Sequence, residues 1–576
     1  MRSETSSATG GSWTDRGLVI ILLASLALIL IYIRSLIFFN TPSIIFDASH
    51  LLAVLALSVI LVRSKLKYGI QVFLVILFLL TLLLIIPLRL PEGVLTSGPD
   101  MIYQLQIMQN IAATGTISFN PPTHFALEYA FAPMQETLLV MVGMVLGASG
   151  ETVLKYAGAL FGVLTVPFLV GVYRAYVSKQ DALIAVFLAT NCFSFLELAS
   201  THETLALAFL AAAVYSLIKQ GVAWKFLTIL FVFAIVSTHE FTSIVSSIFF
   251  ILAALAIIML SRWFGLQRGS IESSILKMPA LMVTMTGAWL AFVALPFFGT
   301  TIGVIGLVID SLTSGTSRFV FPLTPSQAVP TSWPRIVGDV GIIFFGIACA
   351  LGFFALLVSR DKTAYRQLLP YATGGGIIFL IGLVSYLRFH QGTDLLSRGF
   401  IYVYFFAAPL GFYAILRITS GLRRRPILRM ATCICLISII VLAGVYSQYP
   451  RYLTDNSVPL DIEDVRLPLL QWKAAGYFVL EHAGGSVLWG DATAFNFVGG
   501  YGEKEVIVLG NDMNVTLAQW ISTVPNSGDI VLLGQSMASV PYVNYQVTSQ
   551  GLHEIFVTHD VIYSSGEVVM VVASGS

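Results

Sequence analysis

Residues 17–39 read GLVIILLASLALILIYIRSLIFF, a run in which Arg34 is the only charge. Wound as a helix, twenty-three residues rise about 35 Å, enough to cross a hydrocarbon core of about 30 Å. The run is too long for the apolar part of a secretory leader and has no small-residue cleavage site, so it is expected to stay as a membrane span. Residues 69–88, GIQVFLVILFLLTLLLIIPL, repeat the pattern. Across 576 residues, 57% are hydrophobic and only 11% charged, and the mean hydropathy is +0.87. No water-soluble domain of this length hides so much apolar surface. The chain reads as an α-helical polytopic membrane protein.

Working outward from 17–39, about thirteen spans are expected: 17–39, 43–62, 69–88, 151–173, 181–200, 203–218, 224–239, 241–261, 277–298, 336–358, 366–388, 397–417 and 427–447. Basic residues collect between them at Arg63/Lys65/Lys67, Arg174/Lys179, Lys219/Lys225, Arg262/Arg268/Lys277, Arg360/Lys362/Arg366 and Arg417/Arg423/Arg424/Arg425/Arg429. Cytoplasmic loops are the ones enriched in Lys and Arg, so all six belong on one side. They share a side only if the apolar piece 135–149 does not cross. The expected topology is therefore an inside N-terminus, a long outer segment at 89–150, and a tail beyond 450 that lies outside. Cys192, Cys349, Cys433 and Cys435 all fall in apolar runs, which implies neither a disulfide framework nor a thiolate metal site. The net charge of +1 points to no particular partner, and nucleic acid is not expected.

The tail is built differently. From Leu453 the apolar runs shorten and alternate, with turn-rich joints at HAGGS (482–486), GGYGEKE (499–505) and VPNSGD (524–529). A helix at 467–482, with Trp472 and Phe478 on its apolar face, precedes SVLWGD (486–491), EVIVLG (505–510), DIVLLG (529–534) and a terminal hairpin at 562–572. This spacing predicts a small α/β domain over 451–576, set beside a membrane domain over 1–450. GGYGEK is read as a turn, not a phosphate loop, and Asn514-Val515-Thr516 is a short sequon match.

With charge so scarce, the ionisable groups at the outer surface are the candidates for chemistry. SGPDMIYQLQIMQNIAATGTISF (97–119) predicts an amphipathic helix with Ile102, Leu105, Met108 and Ile111 on one side. Asp100 stands where a helix N-cap belongs, and that position also aims a carboxylate at the membrane surface. ELASTHETLA (197–206) joins two spans with almost no linker and puts Glu197, His202 and Glu203 at the boundary, either as wetted interfacial groups or as a site. STHEFTS (237–243) repeats the Thr-His-Glu triplet with His239 and Glu240. Imidazole and carboxylate together suit a divalent cation (Mg, Mn or Zn), so His202, Glu203, His239 and Glu240 form the candidate metal set; no other cofactor is expected. Arg388 and Arg398 flank YLRFHQGTDLLSRGF (386–400), where guanidinium groups can fork onto a phosphate or simply snorkel from helix ends. Lys155, Arg318 and Arg335 are weaker candidates of the same kind. Asp47 and His50 lie inside the second span and carry the main alternative, a transporter or flippase with a proton path. A non-catalytic assembly scaffold is a third reading.

The stretch from SGPDMIYQLQIMQNIAATGTI through APMQETLLVMVGMVLGASGE to FLELASTHE resembles the GT-C superfamily of membrane glycosyltransferases, which includes oligosaccharyltransferases, protein O-mannosyltransferases and lipid A aminoarabinose transferases. The resemblance covers about 90–260, and the ending IYSSGEVVMVV is similar to the tail of some prokaryotic members. It implies a transferase that moves a sugar from a polyprenyl-phosphate donor to a lipid, glycan or protein acceptor outside the cytoplasm. In that scheme Asp100 is the general base, Glu203 a further catalytic group, and Arg388 and Arg398 the lipid-phosphate ligands. Two features depart from the pattern: two spans precede the one leading into the acidic loop, and the second loop carries Glu and His where many relatives have Asp. The basic-loop pattern predicts that a reporter fused after Ser576 behaves as extracytoplasmic. Cytoplasmic labelling of that fusion would overturn both the parity argument and the non-spanning reading of 135–149.

Overall fold

The computed structural model of this protein describes residues 13–39, 43–90, 95, 99–117, 130–197, 203–219, 221–264, 275–295, 333–359, 364–389, 393–446, 469–483, 485–490, 494–499, 501–502, 506–508, 528–534, 555, 560–565 and 568–572. Each expected span lies on a helix or a pair of helices. Among the described residues eight helices, including Trp13–Ser35, Ile44–Arg63, Gly150–Tyr173, Glu240–Phe264 and Pro426–Tyr446, are long and apolar enough to cross a membrane. The shorter helices Tyr68–Leu83, Glu203–Ile218, Val222–Thr238 and Met278–Phe292 stand at further expected spans. Two spans are broken. The run 69–88 turns at Leu84 between Tyr68–Leu83 and Ile85–Arg89, and 181–200 divides into Lys179–Ala189 and Phe193–Glu197. Ile20, Ile31, Phe73, Leu160, Leu255, Ile343 and Val384 are exposed on the bundle. So much large apolar surface is costly in water and is what a bilayer covers.

Side-chain bonds sort the helix ends into two groups. At one end Gln180 donates to the Leu61 carbonyl and, at 3.1 Å, to Gln71 Oε1. Arg174 lies 5.5 Å from the Tyr68 ring centroid, the Tyr365 hydroxyl donates to Asp181 Oδ2 at 3.1 Å, and Arg366 donates to the Phe264 carbonyl at 3.0 Å. These are the basic loops, gathered as the positive-charge pattern requires. At the other end Lys155 Nζ donates to the Leu90 carbonyl at 3.1 Å. Residues 90 and 155 therefore meet, and the segment between them leaves and returns at one end. Its helix Met134–Leu146 rises only about 20 Å and stops at Gly147, whose φ of 62° permits the left-handed cap. It does not cross.

One expectation about this outer segment needs correction. The helix spans Pro99–Thr114, so Asp100 is its second residue and not its cap. Nor is the helix amphipathic over its first half: Met101 to Met108 are all buried, Gln104 and Gln106 included. Met134–Leu146, Gly150–Tyr173 and the turn 494–499 pack around it and leave no wet face there.

The tail contributes the helix Leu469–His482 and a five-stranded sheet in the order β2-β1-β3-β5-β4. β1 (Leu488–Gly490) runs parallel to β2 (Val506–Val508) and β3 (Ile530–Gly534), while β4 (Asp560–Ser564) and β5 (Val568–Val572) form the expected antiparallel hairpin. Every residue of β3 is buried, as a central strand covered on both faces requires. Trp472, in the first turn of Leu469–His482, is fully buried. Ala494–Gly499 forms a π-helical turn where the sequence reads as a strand-to-strand joint, and Asn514 lies outside the described residues. The tail docks at the end opposite the basic loops, through an ion pair of 2.5 Å between Lys473 and Glu151.

Helix contacts inside the bundle rely on missing side chains. A Cβ on Gly444 would lie 2.0 Å from the Asn191 carbonyl oxygen, and one on Gly352 would lie 2.0 Å from that of Leu410. Backbone cannot yield as a flexible side chain can. Gly444→Ala is expected to cost about 1–3 kcal/mol and to lower the thermal unfolding midpoint of the detergent-solubilised protein. Gly346→Ala, where a Cβ meets nothing within 4 Å, is the matched control and should leave the midpoint in place.

Candidate functional site

The two Thr-His-Glu turns meet around one arginine. Glu203 is the first residue of Glu203–Ile218 and is buried, and Arg398 rises from the first turns of Thr393–Ser420. Arg398 grips Glu203 in a two-pronged pair, Nε to Oε1 and Nη2 to Oε2, both at 2.9 Å. The Glu203 side chain is 3% exposed and that of Arg398 16%. The guanidinium carbon also stands 4.5 Å from the ring centroid of Phe241, the residue after the second triplet. A planar cation thus bridges a carboxylate from one turn and an aromatic face from the other.

Local geometry explains how the second turn is held. His239 ends Val222–Thr238 with an extended backbone (φ −158°, ψ 110°), which lets Glu240 open the next helix at once. His239 Nδ1 accepts from the Thr242 backbone N–H at 3.2 Å and bonds the Thr242 hydroxyl at 2.6 Å, so the imidazole acts as the side-chain cap of that helix. Glu240 is buried beside it.

A further acid belongs to this end and was not among the expected residues. Glu136 lies in the first turn of Met134–Leu146, is 1% exposed, and its Oε2 has no hydrogen-bond partner among the described residues. Burial, reinforced by the negative charge of Glu240, pushes its carboxyl up to about 8 against a partial offset from its own backbone N–H. In the sequence its signal is an acid at the head of the apolar run 135–149. Next to it Gln135 donates to Gln104 Oε1 at 3.2 Å. Gln104 belongs to the helix Pro99–Thr114 and ties it to the head of Met134–Leu146.

The remaining candidates divide plainly. His202 and Arg318 lie outside the described residues, as do the side chains of Asp100, Glu197, Arg335 and Arg388. Among the described residues no three His, Cys, Asp or Glu side chains gather as a metal set. Glu203, His239 and Glu240 reach one end of the bundle, but both Glu203 oxygens are held by Arg398, so these residues do not fit a cation as they stand. Lys155 is bonded to the Leu90 carbonyl and staples the outer segment. His50 is fully buried and stacks on Phe46 and Phe78 at 5.8 and 6.1 Å, with Tyr446 edge-on at 5.5 Å. Neither ring nitrogen has a hydrogen-bond partner among the described residues. Asp47, one turn before His50, is buried as well, and the Tyr446 hydroxyl donates to its backbone carbonyl at 3.4 Å. Between the outer helix and the tail lies a cleft of about 250 Å³ lined in part by Gln106, Gln109, Tyr477 and Tyr501.

No protein-family model matches the chain, and no curated protein matches it in sequence. Solved structures do match in fold. The apo oligosaccharyltransferase of Archaeoglobus fulgidus superposes over 87% of this chain and 74% of its own, with a TM-score of 0.51 at 14% identity. ArnT of Cupriavidus metallidurans, solved bound to undecaprenyl phosphate, matches over 88% of this chain and 98% of its own, with a TM-score of 0.50 at 11% identity. The chain is a multi-pass membrane protein with the GT-C fold.

The raised carboxyl of Glu136 carries a pH signature. The folded state holds its proton more tightly than the unfolded chain does, so stability falls as pH rises from the ordinary value of 4.5 to about 8 and then levels. The slope from this group is up to about 1.4 kcal/mol per pH unit. Glu136→Gln should match the native protein in thermal stability near pH 4.5 and exceed it near pH 8. Parallel melting curves for the two proteins across that window would show Glu136 to be ionised in the fold.

Proposed function

We propose that this protein is a membrane glycosyltransferase that takes a sugar from a polyprenyl-phosphate carrier and passes it to an acceptor on the extracytoplasmic side. The observation that carries the reading is the Arg398 fork, buried beside Glu203 and Phe241 at the end of the bundle away from the basic loops. That end also holds Glu136, His239 and Glu240, within a fold shared with two membrane enzymes. ArnT was solved with undecaprenyl phosphate, and the same donor class suits this chain: a long lipid tail stays in the bilayer while its phosphate and sugar reach the helix ends.

In this scheme Asp100 accepts the proton of the acceptor's O–H or N–H. The acceptor atom bonds to the anomeric carbon as the bond from that carbon to the phosphate oxygen breaks, and the electron pair leaves with the polyprenyl phosphate. Arg398 donates two N–H groups to the phosphate where water is scarce, which stabilises charge as it develops. Arg388, in the last turn of the preceding helix Leu369–Phe389, is a second phosphate ligand from the same end. Glu203 serves as the carboxylate that holds Arg398 before the donor arrives. The aromatic and amide lining of the cleft between the outer helix and the tail suits a polar acceptor, with residues 451–576 as an outer domain that helps to present it.

The direct test is transfer by the purified, reconstituted protein, supplied with undecaprenyl-phosphate sugars and a panel of lipid, glycan and peptide acceptors. Asp100→Asn keeps shape and removes basicity, so turnover should fall about 10²-fold or more while the thermal midpoint stays put. Unchanged turnover in a folded Asn variant would return Asp100 to a structural place in the helix's first turn.

A further inference from the structure

The residue assigned to the donor's phosphate is already occupied. Arg398 spends its Nε/Nη2 edge on Glu203, at 2.9 Å through both prongs, and that planar edge is the one a phosphate's oxygens also match best. We propose that the Glu203–Arg398 pair is a latch opened by the donor: the phosphate takes the arginine fork in exchange for the carboxylate, and Glu203 becomes a free acid in the site only when a donor is bound. This rests on the reading of the protein as a polyprenyl-phosphate-dependent transferase.

Four observations favour exchange over a permanent pair. The arginine is the more accessible member, its side chain 16% exposed against 3% for the glutamate, so an incoming anion meets the cation first. Phe241 holds the guanidinium from another helix at 4.5 Å, which keeps it in place when the carboxylate leaves. Tyr402, one turn beyond Arg398, is bonded at 2.7 Å to Ser246 of Glu240–Phe264 and pins the two helices together, so the exchange needs side-chain movement alone. Glu203 itself begins the sixteen-residue helix Glu203–Ile218, whose N-terminal partial positive charge continues to stabilise the carboxylate once Arg398 has turned to the phosphate.

A closed latch lowers apparent donor affinity by the fraction of molecules in which Arg398 is engaged. Weakening the Glu203 side of the pair therefore tightens donor binding, while a merely structural role, orienting the arginine, has the opposite sign. The experiment measures binding of undecaprenyl phosphate to the full-length protein in nanodiscs, alongside turnover. Glu203→Asp retains the charge and shortens the reach; Glu203→Gln retains the shape and removes the charge. Both should bind the probe about tenfold tighter than the native protein, and both should turn over more slowly. Arg398→Gln should bind it at least tenfold more weakly. If Glu203→Asp binds no tighter, relief of charge repulsion accounts for any gain in Glu203→Gln and the latch is overturned. If both glutamate variants bind equally or more weakly while Arg398→Gln also loses binding, the latch fails and the donor reading stands. Should the native protein show no saturable binding, or Arg398→Gln bind as the native does, the donor reading itself falls. In the bound state the Glu203 oxygens should stand beyond about 4 Å from the guanidinium, the limit of an ion pair.

Discussion

A bilayer offers no water to a backbone or a charge, and the arrangement of this protein follows from that constraint. Apolar helices cross, and their polar groups are driven to the two ends. One end collects the basic loops and closes with bonds such as Tyr365 to Asp181 and Arg366 to Phe264. The other collects acids, His239 and the arginine that offsets one of the acids. Chemistry is concentrated there because ionisable groups elsewhere in the bundle would be isolated. His50, enclosed by Phe46, Phe78 and Tyr446, illustrates the alternative, an imidazole packed as an aromatic ring.

At the outer end the charges are not equivalent. Glu203 is compensated by Arg398 and by the start of its own helix, and the pair is buried in good two-pronged geometry, the condition under which a buried ion pair is tolerated. Glu136 faces Glu240 and has no cation among its principal perturbations, so burial drives it toward its neutral form. The two acids thus differ in their surroundings, Glu203 gripped by a guanidinium and Glu136 with an Oε2 that has no hydrogen-bond partner among the described residues.

The tail adds a second constraint. Lys473 bonds Glu151 and lies 4.8 Å from the Tyr501 ring centroid and 5.7 Å from that of Tyr477, so a single ammonium joins the sheet domain to the head of a membrane helix. The outer helix Pro99–Thr114 lies beneath this junction. Gln106 of this helix is buried beside the cleft that Tyr477 and Tyr501 line, where periodicity predicts a wet face.

Local and compositional properties were legible from the residues alone. Membrane class, the positions of the apolar helices and the mixed helix-and-strand tail follow from apolar run length and turn chemistry, neither of which depends on which helices become neighbours. The Thr-His-Glu repeat is a local signal of the same kind. Tertiary structure alone decided the pairings. Arg398 and Glu203 are 195 residues apart in the chain, and no periodicity says that one side chain grips the other and that Phe241 supports the arginine from a third helix. Glu136 became notable only once packing had buried it near Glu240. Burial, partner and protonation state belong to the assembled bundle, because each depends on what fills the space around a side chain and not on the residues beside it in sequence.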